Sequence, residues 1–254
     1  MARVAIVSRQ SPDWASMTWD VYRRESQKFC AVANYPDIMY SLARLWDCTF
    51  EVPYFAVRQK MKSIAESNWR QVWEAEIFLS DYGGPIALPG DAWVCLVDDD
   101  DWFCPDLPAQ LPDVTCEAIT WRHSIFGWPE EEPVAVREEN GFCYTNNYAV
   151  RARFLTPHPS RAETLYQHWV ANETVKGMHR VRIPEVLSMT NKHAASAMSL
   201  QRATRHASTS EQLRNSVQDY LVRITEINAP ERVEWAVPFM HQTRDFFADL
   251  LTRG

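Results

Sequence analysis

The chain has 254 residues, of which 46% are apolar and 23% charged, enough to bury one large core and ordinary for a globular protein. Acidic side chains (33) outnumber basic ones (26), and the net charge of −7 argues against a nonspecific nucleic-acid binder while leaving room for local basic strips such as Arg151/Arg153 and Arg202/Arg205. No run of about 18 apolar residues is present, so no membrane-spanning helix is expected. The six cysteines form no CxxC pair and follow no signal peptide, which fits reduced thiols in a cytoplasmic protein.

Arg3–Ser8 reads as a first buried strand, followed by the polar loop Ser8-Arg9-Gln10-Ser11-Pro12. Residues 19–33 and 37–46 have helical patterns, the first broken before Tyr35-Pro36, and Thr49–Val52 reads as a second strand. From Phe55 to Asp81 apolar residues recur at near 3.6-residue spacing, which predicts one long helix stopped by Gly83-Gly84-Pro85. Pro89-Gly90-Asp91 then turns the chain into the apolar run Ala92–Val97, a strand buried on both faces.

Pro105-Asp106-Leu107-Pro108 fits a short helix or a proline-restrained loop, and Cys116–Arg122 a further strand. Glu130-Glu131-Glu132-Pro133 marks an exposed connection. Val134–Arg137 and Phe142–Val150 read as a hairpin turning at Glu138-Glu139-Asn140-Gly141. Helices are expected over 161–170, 206–227 and 238–251. Strands and helices mixed along one chain, with a helical end, predict an α/β fold around a central mixed sheet.

The most informative stretch is Trp93-Val94-Cys95-Leu96-Val97-Asp98-Asp99-Asp100-Asp101-Trp102-Phe103. Four adjacent carboxylates repel one another and need solvent, a cation or basic partners. A solvated loop or a structural cation site also shows such a run, but the buried strand before it and the aromatic pair after it tie it to a core. At the C-terminal end of a strand the carboxylates converge on the crevice where open α/β sheets bind ligands. Hard oxygen ligands suit Mg²⁺ or Mn²⁺, which also hold substrate phosphates.

A buried strand ending in Asp-x-Asp-Asp, followed by an aromatic and then by Pro105-Asp106-Leu107, resembles the GT-A glycosyltransferases, in particular family-2-type and rhamnosyltransferase-like members. The resemblance covers residues 1–200 and rests on about ten of them. It implies a GT-A-like catalytic domain over 1–200, with 201–254 a helical extension packed on the same domain. It also implies a metal-dependent transfer of a hexosyl or deoxyhexosyl group from a nucleotide-diphosphate sugar to a hydroxyl acceptor.

By that match Asp98 serves the nucleotide side, Asp100 ligates the metal, and Asp101 is a second ligand or orients the first. The register Asp99-x-Asp101 also fits. His193 is a further metal candidate and Lys192 a phosphate partner. Asn146 and Asn147 are either hydroxyl readers or a hydrogen-bonded strand end. Arg9, Arg58 and Lys62 are candidate diphosphate contacts, the last two one helical turn apart. An inverting enzyme needs a base, for which Glu132 is the candidate, whereas a retaining one shows no equivalent group.

The acceptor is not specified by these residues. Glycan or glycolipid is the default by association with the family, and a modified nucleobase in DNA is less favoured by the charge. Another metal-phosphate enzyme, such as a nucleotidyltransferase or phosphohydrolase, and a non-catalytic cation-binding interaction protein are the alternatives.

Overall fold

The structure, a computed structural model, describes residues 4–10, 17–29, 35–72, 77–81, 91–112, 115–127, 134–137, 146–154, 173–196, 199–200, 209–225 and 227–253. It is an α/β fold built on one mixed sheet. The strands are β1 (Val4–Gln10), β2 (Ile77–Asp81), β3 (Trp93–Asp98), β4 (Trp102–Phe103), β5 (Ala118–Gly127), β6 (Val134–Arg137), β7 (Tyr148–Arg151) and β8 (Arg180–Lys192). They lie in the order β2-β1-β3-β7-β5-β8-β4, with β6 added to β5. Neighbours β2, β1 and β3 are parallel, as are β5 and β8, while β7, β6 and β4 run antiparallel to their neighbours.

Helices α1 (Trp19–Phe29), α2 (Tyr35–Phe50) and α3 (Tyr54–Val72) fall between β1 and β2. A short α4 (Leu107–Gln110) follows β4, and α5 (Ser210–Thr225) and α6 (Val237–Thr252) close the chain. The main core joins the Val4/Ile6 and Trp93/Cys95/Val97 face of the sheet to Trp46, Ile64 and Trp69, and also to Tyr220, Phe239 and Phe247 of α5 and α6. A smaller cluster of Val7, Val94, Leu96, Tyr148 and Val150 covers the other face. Alternation along β1 and β3 sends successive side chains to these two clusters, which is why Val4–Val7 and Trp93–Val97 are apolar without a break.

Two predicted elements change type. The helical pattern over 55–81 covers a helix that ends at Val72, and Ile77–Asp81 is the parallel strand β2. Periodicity alone does not separate a short apolar run in a strand from a helix turn. Thr49–Val52 is not a strand, because α2 runs on to Phe50. Phe50 stacks one turn away on Trp46, with ring centroids 4.4 Å apart, and Thr49 Oγ1 bonds back to the Leu45 carbonyl. The helix then ends at Glu51 in the left-handed region, φ 50°.

The predicted hairpin is also re-paired. Val134–Arg137 pairs with 123–126 of β5 and Tyr148–Val150 with 118–120 of the same strand, so β5 holds both. The turn 138–141 and the helix expected at 161–170 lie outside the described residues. Strand β8 corresponds to no element expected from the sequence. Its pairing slips at Trp121/Arg122, where Pro184 and Glu185 face no β5 partner, and a bulge is where a strand tolerates proline.

This topology places the acidic turn. The chain enters the sheet at β1, lays β2 on one side and β3 on the other, so the strand order reverses between β1 and β3, the position where open α/β sheets bind ligands. Four residues then carry it from Asp98 to Trp102 on the far edge strand, a reach of at most about 14 Å. A flat sheet would put β4 about 19 Å from β3 at ~4.8 Å per strand, so the sheet curls. Among the described residues, no helix is long and apolar enough to cross a membrane.

Candidate functional site

Five elements deliver polar side chains to one edge of the sheet. Strands β1, β3 and β8 are aligned so that Ser8, Asp98 and Thr190–His193 all come at C-terminal ends. Strand β7 runs the other way, and therefore brings the residues before it, Asn146 and Asn147, to that same edge. Helix α3 lies across it with Arg58 and Trp69.

The aspartates are not a solvated loop. Asp99, Asp100 and Asp101 are 6%, 9% and 3% exposed, and only Asp98 is half-buried. A tight turn, Asp101 N–H to Asp98 C=O, folds the run back on itself. Arg58 bridges two of its members, with Nη1 3.0 Å from Asp100 Oδ2 and Nη2 3.4 Å from Asp99 Oδ1. His193 Nε2 lies 2.9 Å from the same Asp100 oxygen. Asp100 is thus where α3 and the end of β8 meet.

Asp101 has other partners. Its Oδ1 accepts the Asn191 backbone N–H at 2.9 Å and its Oδ2 accepts Asn146 Nδ2 at 3.1 Å. Its backbone carbonyl accepts the Trp69 indole N–H at 2.9 Å. Two residues further on, Asn68 clamps Phe103 through both its amide atoms, 2.8 Å to the N–H and 3.0 Å to the C=O. Helix α3 therefore holds the turn at three places, and Tyr54 at its start donates to the Ala195 carbonyl beyond His193.

Charge and burial pull these groups apart. Burial pushes the Asp100 carboxyl up, but Arg58, His193 and Lys192 outweigh it and hold the group well below the usual carboxylate range. Asp101 goes the other way: burial, then the charges of Asp100 and Asp98, raise it well above the ordinary value, and Lys192 and the Asn191 N–H offset only part. Burial would lower Arg58, but Asp100 and Asp99 more than compensate and keep it charged. Burial lowers His193 despite Asp100, so the ring is neutral.

The sequence-predicted residues divide accordingly. Asp98, Asp100, Asp101, Arg58, Asn146, Lys192 and His193 come together. Asp101 and His193, expected as metal ligands, instead spend their hydrogen bonds on the protein: Asp101 anchors the turn to Asn191 and Asn146, and His193 meets Asp100. Asn147 makes a strand-end contact, its Nδ2 3.4 Å from the Trp121 carbonyl and its own carbonyl accepting the Trp121 N–H. Lys62 pairs with Glu66 at 3.8 Å. Glu132 lies outside the described residues, as does the side chain of Arg9, whose backbone pairs with Asp98.

Asn68, Trp69, Tyr54 and Thr190 were not singled out from the sequence. Trp69 had a usable signal: Arg58, Lys62, Ala65 and Trp69 form one stripe of α3, so the residue eleven positions from Arg58 reaches the same turn.

Among the described residues, no three acidic, imidazole or thiol groups converge into a cation cage. The donors that do converge are hard carboxylate oxygens, and Mg²⁺ or Mn²⁺ commonly takes one or two of these and completes its shell with water and substrate phosphates. At this edge Asn146 Oδ1, Ser8 Oγ and the Asn191 side-chain amide are buried with no hydrogen-bond partner, as are polar atoms elsewhere in the core such as those of Trp46 and Thr243. Comparison with protein-family models, curated proteins and solved structures finds no match to this chain.

Proposed function

We propose that the protein is a metal-dependent glycosyltransferase of the GT-A type, moving a sugar from a nucleotide-diphosphate donor to a hydroxyl acceptor. One observation carries the reading: a buried acidic turn, Asp98–Asp101, sits at the C-terminal end of β3, beside β1 where the strand order reverses, with Arg58 and His193 converging on Asp100. Carboxylates and a guanidinium side by side suit a cation–diphosphate pair, one set for the cation and the other for phosphate oxygens.

In this reading Asp98, the most exposed member of the run, faces the nucleotide and Asp100 meets the cation. Arg58 and Lys192 supply positive charge to the diphosphate. Bound Mn²⁺ or Mg²⁺ neutralises the diphosphate and stabilises it as a leaving group. The acceptor oxygen bonds to the anomeric carbon, the diphosphate departs with the electron pair of the broken bond, and the hydroxyl proton passes to a base. Asp101 and Asn146 fix the turn on which Asp100 stands, and His193 orients its carboxylate.

Calorimetry with a panel of nucleoside diphosphates, UDP and dTDP first, with and without Mn²⁺, tests this. Metal-dependent binding of at least one nucleotide is expected; none across the panel would sink the proposal.

A second reading has an observation of its own. Asp100 already accepts from Arg58 and His193, and Asp101 from Asn191 and Asn146, as in a purely structural charge cluster. Asp100→Asn separates the two: a structural cluster loses melting temperature with nucleotide binding intact, whereas the transferase keeps most of its fold and loses affinity for the metal–nucleotide pair.

A further inference from the structure

Arg58 does two things at once in this fold. Its Cα is fixed on α3, between Val57 and Met61, both fully buried. Its guanidinium fork fills the space between Asp99 Oδ1 and Asp100 Oδ2. A divalent cation that uses the Asp100 carboxylate must share or take the place of that fork. Both are positive, and they compete for the charge of one carboxylate, whose Oδ2 the fork already holds. A diphosphate arriving with the cation offers the fork a new bidentate acceptor, so the arginine exchanges one anion for another without leaving its helix.

We propose that Arg58 is an exchangeable counter-ion: it holds Asp99 and Asp100 until the cation arrives, and then passes to the diphosphate that accompanies it. This rests on the metal–nucleotide reading above and adds what that reading lacks, a reason for the order of binding. The cation alone must displace a salt-bridged guanidinium and binds weakly. The diphosphate alone finds the guanidinium engaged. Together each removes the obstacle to the other, and linkage makes the effect reciprocal. The same exchange keeps the carboxylates neutralised when no ligand is present, which burial requires. Beside the turn, the Asn146 side chain that donates to Asp101 keeps its Oδ1 buried with no hydrogen-bond partner, an acceptor not used within the fold.

The test is Mn²⁺ affinity, read by electron paramagnetic resonance on the full-length protein, with Mn²⁺ alone and with inorganic pyrophosphate added. In the native protein pyrophosphate should tighten Mn²⁺ by about tenfold or more. In Arg58→Gln, Mn²⁺ alone should bind about tenfold tighter than in the native protein, and the gain from pyrophosphate should shrink. Arg58→Lys, which keeps the charge but not the fork, should fall between the two, and serves in place of the Gln variant if that does not fold. Native-like Mn²⁺ affinity in both variants, in a native protein that does bind Mn²⁺ and pyrophosphate, overturns the counter-ion role alone. Failure of every protein to bind Mn²⁺, with or without pyrophosphate, overturns it together with the metal–nucleotide reading.

Discussion

His193 Nε2 lies 2.9 Å from Asp100 Oδ2, and the other ring nitrogen, Nδ1, accepts the Ala195 backbone N–H at 3.2 Å. An acceptor at Nδ1 leaves the proton on Nε2, so the ring is a neutral donor to the carboxylate. The ring is fully buried, and Phe247 lies 24° from parallel to it with centroids 6.3 Å apart.

The first prediction concerns pH. Burial lowers the His193 pKa in the folded protein below its ordinary 6.5, so the unfolded chain binds the extra proton first. Stability from this residue is present above about pH 6.5 and is lost as pH falls below it. Chemical denaturation between pH 7.5 and 5 should show a declining unfolding free energy, and His193→Gln should flatten that slope. Nitrogen-15 shifts of the ring at pH 7 should report the Nε2–H tautomer; an Nδ1–H signal would contradict the assigned hydrogen bonds.

Asp101 should tolerate loss of its charge but not of its shape. Its carboxyl is raised by burial and by Asp100 and Asp98, so ionising it works against the fold as pH rises through and beyond the carboxylate range. Asp101→Asn keeps an acceptor for the Asn191 N–H, and the Asn146 amide can turn to meet the new NH₂. Asp101→Ala leaves two buried donors unmet, at about 1–3 kcal/mol each. The Asn variant should melt close to the native protein and the Ala variant well below it. A collapse of Mn²⁺ binding in a folded Asp101→Asn protein would instead make Asp101 a ligand.

How much of this was legible beforehand follows from local chemistry. Strand β3 announces itself because both its faces are buried, so every residue from Ala92 to Val97 is apolar. The acidic turn was visible for the converse reason, as charge where a core strand stops. Strand β8 was hidden: Arg180, Arg182, Pro184 and Glu185 break up its first half, where Ile183 is the one buried side chain, and the continuous buried run begins only at Val186. Partners chosen by tertiary folding left weaker traces. Arg58 could be placed on a helix, but which of four aspartates it meets depends on how the curled sheet brings β3 and β8 together. Nothing local to Asn68 distinguishes it from a solvated helix amide.

Asn68 supplies the third prediction. It is fully buried and satisfies both backbone groups of Phe103, as a neighbouring strand would. Asn68→Ala removes two buried hydrogen bonds and should cost about 2–4 kcal/mol. Asn68→Asp keeps the acceptor for the Phe103 N–H but sets a carboxylate against its C=O, so it should be no better near neutral pH. Urea denaturation of both variants checks this, and hydrogen exchange at Phe103 should quicken in the alanine variant.

Gly127 closes β5 beside Lys192, the residue before His193, and its φ of 93° lies where only glycine sits without strain. A Cβ there would stand 2.5 Å from the Lys192 carbonyl oxygen and 3.1 Å from the Tyr220 ring. The carbonyl belongs to a central strand and does not swing aside, so Gly127→Ala must displace the end of β8. Backbone strain of about 1–3 kcal/mol is expected, or about 2–4 °C of melting temperature per kcal/mol in a domain of this size. The displacement should also reach the site, because the Asn191 N–H and His193 lie on that same end and hold Asp101 and Asp100. Gly177→Ala is the control: its nearest atoms would be 3.6 Å from the new methyl, an ordinary contact, and its melting point should stay near native. If Gly127→Ala melts and binds Mn²⁺ like the control, the end of β8 does not set the geometry of the acidic turn.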